Sequence, residues 1–242
     1  MIPLRDANPT RRAPVVTIGL VVACLVAFAW ELGLQVTGGN AALDAFITQW
    51  GIVPADLTAA WSTGGILSLE TATLVTSQFL HGGWLHLLGN LLFLWIFANN
   101  IEDDLGRLAF LLFYLGGGVA AGLTQVAIDP TSTVPMIGAS GAIAAVLGGY
   151  IVLYPRARIT SLVFLGFFYQ LIDVPAIVVL GFWFALQLID GIASLGLSGT
   201  EGGVAIFAHI GGFVAGLVAA RLLLVLRLRR PGARPPSLTP VG

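Results

Sequence analysis

Lysine is absent from the 242 residues, so all eleven basic side chains are arginine. Charge of either sign is scarce: 10% of the chain is Asp, Glu, Lys or Arg, where soluble domains carry about 25%. The formal net charge of −1 provides no basic footprint for nucleic acid. A single cysteine, Cys24, excludes an intramolecular disulfide and a cysteine-based metal centre, and it reads as a small buried apolar residue. Histidine occurs three times, at His81, His86 and His209. His81 and His86 are five apart with no acid between them, unlike the paired histidines around a glutamate in zinc proteases. Neither a metal nor a cofactor is expected.

What the chain has instead is apolar surface: 57% hydrophobic residues and a mean hydropathy of +0.94. The bilayer is therefore its expected solvent. A crossing needs about 20 apolar residues, and six segments meet or approach that length. They are Val15–Gln35, Trp84–Asn100, Leu108–Ile128, Gly138–Tyr154, Pro175–Leu195 and Val204–Leu226. Backbone groups in lipid must be bonded within their own segment, so each is expected to be a helix. The first run, Ala13–Trp30, is uncharged for 18 residues. That exceeds the ~7–15 residue core of a signal peptide and reads as a retained span. The stretch Ile159–Ile172 is too short to span and reads as a re-entrant or interfacial piece.

The arginines set a direction. Arg5, Arg11, Arg12, Arg107, Arg156, Arg158, Arg221, Arg227, Arg229, Arg230 and Arg234 all fall on one side of a six-span layout. Loops on the other side carry acids alone: Asp44, Asp56, Glu70, Asp129 and Glu201. Arginine is retained in the cytoplasm, so both termini are expected there. The expected organisation is a cytoplasmic N-terminal segment (1–14), a six-span domain (15–226) and a cytoplasmic Arg/Pro-rich tail (227–242). The loop from Thr37 to about Gly83 faces outward and carries Phe46, Trp50, Trp61 and Phe79. It reads as interfacial, with short helices or a partly embedded flap.

Polar residues inside spans are costly and often functional. Ser140, His209, His86 and Asn90 fall in the second, fourth and sixth spans, which all enter from the outer side. Three separate spans thus bring a hydroxyl, two imidazoles and an amide to one depth. His86 and Asn90 stand at i and i+4, on one helix face. Glycines flank the others: Gly138 and Gly141 around Ser140, and Gly212 and Gly216 after His209. Small residues let helices approach closely in lipid. Taken singly, each polar residue also fits a packing role.

As a set, these residues resemble a known family. Gly138-Ala139-Ser140-Gly141 is similar to the nucleophile motif of rhomboid intramembrane serine proteases, and Ala208 to Gly216 resembles their histidine helix. His86-Leu87-Leu88-Gly89-Asn90 resembles their His-x-x-x-Asn element, with His81 and Trp84 at its entry and Glu102 and Gly106 at the following turn. The likeness covers about residues 72–221. Two features depart from it: no Trp-Arg pair occurs near Ala72-Thr73, and Ala144 stands where many members carry an aromatic.

The resemblance implies an all-α, six-transmembrane-helix rhomboid-like bundle with a Ser140–His209 dyad. It also implies an oxyanion site made by His86, Asn90 and the Ser140 backbone N–H. Implied substrates are single-span membrane proteins cut near the outer face, in a bacterial plasma membrane. Two other readings stay open: a non-catalytic rhomboid-like protein that binds clients, and a small transporter. The sequence leaves the oligomeric state open.

Overall fold

The computed structural model describes residues 1–165, 168–194 and 206–228. Five helices are long and apolar enough to cross a membrane: α1 (Val15–Trp50), α4 (Trp84–Leu105), α5 (Arg107–Ile128), α7 (Ala176–Ser194) and α8 (Ile206–Leu228). A sixth, α6 (Ser140–Leu153), has 14 residues, ten of them buried. Two short helices, α2 (Pro54–Ser62) and α3 (Leu69–Thr76), followed by a 3₁₀ turn at Ser77–Phe79, fill the expected outer loop. The protein is a multi-pass, helical membrane protein.

α6 is the axis of the bundle. It is apolar all round, as a helix without a lipid or water face must be, and it contacts α4, α5, α7 and α8. Its glycines set the closeness of the α6–α8 crossing. A Cβ on Gly212 would overlap the carbonyl oxygen of Gly141, one on Gly216 that of Ala145, and one on Gly148 that of Phe213. Fourteen residues rise about 21 Å, less than the ~30 Å of hydrocarbon. A helix this short with one end at a membrane boundary starts well inside the bilayer at its other end, and its first residue is Ser140.

α1 runs past the expected Gln35 to Trp50, but it is two helices joined at Gly39, where φ is +71° and ψ −174°. In the stretch expected as a re-entrant or interfacial piece, the described residues form two strands. β2 (Arg158–Leu165) and β3 (Phe168–Pro175) pair antiparallel, and β1 (Ile2–Asp6) joins them in the order β1-β2-β3. Ile159, Val163, Ile172 and Val174 are β-branched, which favours a strand in a run too short to cross. The sheet caps the end of the bundle opposite Ser140 and departs from an all-helical chain.

That end is secured by a buried carboxylate. Glu102 accepts hydrogen bonds from the backbone N–H of Val16 and Thr17 and from the Thr17 hydroxyl, at 2.8–2.9 Å. It thereby satisfies donors in the first turn of α1, where no intrahelical acceptor exists. Gly106, at φ +82°, ends α4 and lets α5 turn back at once. α1 begins at Val15, and residues 2–6 before it are a docked strand. The expected tail lies outside the described residues from 229 onward, as do Leu195 and Val204–Ala205 of the expected fifth and sixth spans.

Candidate active site

α4, α6 and α8 all begin at the end opposite the sheet, and each carries polar residues in or near its first turns. His209 lies one turn into α8 and Ser140 opens α6. His209 Nε2 is 2.8 Å from Ser140 Oγ, across a sequence separation of 69. The crossing glycines make this distance attainable, because bulkier residues would force the two backbones apart. Ser140, as the first residue of α6, has its N–H in a first turn that lacks intrahelical acceptors.

His86, near the start of α4, faces the same point. A Cβ on Gly138 would sit 2.6 Å from His86 Nε2, and Gly138 adopts φ +128°. Both the close approach and the left-handed backbone call for glycine here. His86 Nδ1 accepts the N–H of Gly82 at 3.4 Å. In a neutral imidazole this leaves the proton on Nε2, making a donor directed at the backbone just before Ser140. Asn90, one turn on, is buried, and its amide nitrogen has no hydrogen-bond partner among the described residues. Two side-chain donors are thus available one turn apart on α4. Beside Ser140 a cavity of about 40 Å³ is lined by Ile52, Gln78, Met136, Gly138, Gly141 and Ala208, enough for about one water. A larger hollow of about 290 Å³, among Arg12, Pro14, Glu102, Asp103 and Arg107, lies at the sheet end, remote from Ser140.

Several contributors were not singled out from sequence. Glu31, in α1, is 2% exposed and accepts the N–H of His81 at 3.1 and 3.3 Å. The segment it holds does two further jobs. Ser77 O accepts the N–H of Gly138 at 2.9 Å, and Gly82 orients His86. Gln78 donates to the carbonyl oxygens of Leu74 and Leu115 at 2.8 and 3.2 Å, with its amide packed where a Cβ on Gly118 would be. These bonds, with the Ile52–Met136 bridge, hold the loop that lacks a Trp-Arg pair.

The aromatic missing at Ala144 is supplied from elsewhere. Ala144 is fully buried in α6, and the Trp183 ring of α7 lies 6.0 Å from the His209 ring. α7 also brings the side-chain amide of Gln187 to within hydrogen-bonding distance of His209 Nδ1. Asp190, the acid nearest that histidine in the sequence of α7, is exposed. Among the described residues, no cluster of three or more His, Cys, Asp or Glu suits a metal ion.

Comparison with known proteins agrees with this architecture. The Rhomboid domain family matches residues 68–226. The chain is 34% identical to YdcA of Bacillus subtilis over 116 residues, covering 46% of this chain and 58% of that protein. It is 33% identical to Rhomboid-like protein 11, chloroplastic, of Arabidopsis thaliana over 158 residues, covering 62% and 51%. It is 32% identical to Rhomboid protein 1, mitochondrial, of Saccharomyces cerevisiae over 96 residues, covering 38% and 28%. The chain thus matches about half the length of the first two relatives. A helical membrane bundle with a family match across most of its length identifies this chain as a member of the rhomboid family, a family of intramembrane serine proteases.

Proposed function

We propose that this protein is a serine endopeptidase that cuts single-span membrane proteins within the bilayer, using Ser140 and His209. The observation that carries the reading is the 2.8 Å contact between Ser140 Oγ and His209 Nε2 from two separate helices. A hydroxyl becomes a useful nucleophile when a base takes its proton as it attacks.

In the first step the Oγ–carbonyl bond forms and the Ser140 proton moves to His209 Nε2. The negative charge on the carbonyl oxygen meets His86 Nε2–H, Asn90 Nδ2–H and the Ser140 backbone N–H. Such donors act strongly because they are already oriented in a site with little water. Collapse breaks the C–N bond, and Nε2–H protonates the leaving amine. Water then repeats the sequence on the acyl-enzyme, giving its proton to Nε2 and releasing the second product with Ser140 restored.

The orientation that fits places the Ser140 end outward and the sheet end in the cytoplasm. In support, Arg5, Arg11, Arg12, Arg107, Arg156, Arg158, Arg221 and Arg227 all lie on segments toward the sheet end, as cytoplasmic retention requires. A substrate helix must fray before its peptide bonds can reach Ser140, which favours glycine or other weak helix formers at the cut. The bacterial plasma membrane is the proposed location.

The test uses the intact protein in detergent or vesicles with a single-span model substrate. Wild type is expected to cleave it and to be labelled at Ser140 by a fluorophosphonate. Ser140→Ala and His209→Ala should each abolish cleavage, and the double variant should be little worse, because members of one catalytic unit are not additive. Cleavage by Ser140→Ala at the wild-type rate would overturn the reading and return the protein to client binding or transport.

A further inference from the structure

We infer that Gln187 is a positioning residue for His209, holding the imidazole through Nδ1 so that Nε2 can act as the base. The inference rests on the protease reading above. Both ring nitrogens of His209 are engaged at once: Nε2 with Ser140 Oγ at 2.8 Å, and Nδ1 with the Gln187 side-chain amide, whose nitrogen Nε2 faces it. A neutral imidazole carries one proton, so its partner at Nδ1 decides what Nε2 is. If the amide nitrogen donates to Nδ1, the ring proton is on Nε2 and points at Ser140, and the ring cannot accept from the hydroxyl. If the amide oxygen accepts from Nδ1–H, Nε2 presents its lone pair to Oγ–H.

A half-turn of the Gln187 carboxamide interconverts the two arrangements with little change of shape, since its oxygen and nitrogen are nearly the same size. The reactive arrangement is the second. It persists after proton transfer, because Nδ1–H of the imidazolium still faces the carbonyl dipole of Gln187. A neutral amide suits a site inside the hydrocarbon better than a carboxylate, which would bring an unpaired charge into the substrate-free site. An amide in the third position also occurs in Cys-His-Asn proteases.

The placement of α7 supports this role. Gly191, one turn beyond Gln187, lets α7 lie close to α8: a Cβ there would be 3.1 Å from Ile210 Cδ1. Trp183, one turn before, lies beside the same ring. The glutamine is thus directed at Nδ1 from a helix braced on both sides of it.

The experiment compares wild type, Gln187→Leu and Gln187→Glu, by steady-state cleavage and by the rate of fluorophosphonate labelling at Ser140. Gln187→Leu removes the partner and keeps the bulk. It should lower kcat and the labelling rate roughly 10–100-fold, the rate equivalent of one buried hydrogen bond, with KM little changed. Gln187→Glu, once ionised at alkaline pH, offers only acceptor oxygens and should there recover most of the labelling rate, which a packing role does not explain. Gln187→Leu at the wild-type labelling rate, or Gln187→Glu slower than Gln187→Leu at that pH, would overturn the proposal. If Gln187→Leu does not fold, Gln187→Met supplies the same comparison. A wild-type protein that is not labelled at Ser140 would instead sink the protease reading itself.

Discussion

The two ends of the bundle treat buried polar groups in opposite ways. At the sheet end the carboxylates are occupied. Glu102 takes three hydrogen bonds from the start of α1, and Asp6 accepts from Asn100 and from the Tyr150 hydroxyl. At the Ser140 end several donors and acceptors are left open. Of five buried side-chain atoms without a partner among the described residues, Gln78 Oε1, His81 Nε2 and Asn90 Nδ2 lie there, while Asp103 Oδ1 is at the sheet end. An unmet buried polar group costs about 1–3 kcal/mol. That cost is reasonable where the missing partner arrives with a substrate, as Asn90 Nδ2 would meet an oxyanion. One end is built to stay together and the other to be completed during reaction.

The contrast can be broken by substitution. The largest effect is expected at the open end: His86→Ala or Asn90→Ala should slow turnover roughly 10²–10³-fold, with thermal stability nearly unchanged. Cleavage kinetics alongside a thermal melt would show both. A large loss of stability with normal turnover in the folded fraction would make these residues structural and erase the distinction.

At the sheet end the reverse is expected. Glu102→Ala should destabilise the protein by about 3–6 kcal/mol, since three hydrogen bonds to a charged group are lost. The protein that remains folded should keep its kcat. Titration with denaturant, paired with active-site labelling to count folded enzyme, separates the two quantities. A specific fall in kcat would mean that this end communicates with the chemistry.

The smallest effect is a pH dependence. Burial raises the Asp6 carboxyl from its ordinary 3.8 to about 6, against the lowering influence of its bonds to Tyr150 and Asn100. Between about pH 4 and 6 the folded protein therefore holds a proton that the unfolded chain has released. Its stability should fall as pH rises through that window and level off above it, by about 3 kcal/mol at most. Asp6→Asn should flatten that slope in a series of melts. An unchanged slope would assign the dependence to another group.

Much of this was readable from residue types, and what was missed has physical causes. Ser140, His209, His86 and Asn90 stood out because polar groups are rare within apolar runs, and the glycines indicated which helices could approach. Glu31 and Gln187 were visible in the same way, as a carboxylate and an amide inside expected spans. Their partners, a backbone N–H and a ring nitrogen, leave no mark in sequence. The β2–β3 pair was ambiguous because a short apolar run has no period that separates strand from helix. β1 was hidden because its pairing is non-local. The first span, expected as Val15–Gln35, is followed by a bend at Gly39 and a second helical stretch to Trp50, which no apolar run announces.

The three-stranded sheet also imposes an order of events on synthesis. Ile2 pairs with Leu162 and Asp6 with Ile159, so β1 must wait for partners made about 155 residues later. At translation rates of about 5–20 residues per second, that interval is roughly 8–30 s. By then α1, α4, α5 and α6 have been synthesised. Docking of β1 is thus a late event, closing the sheet over a bundle whose central helix is already made.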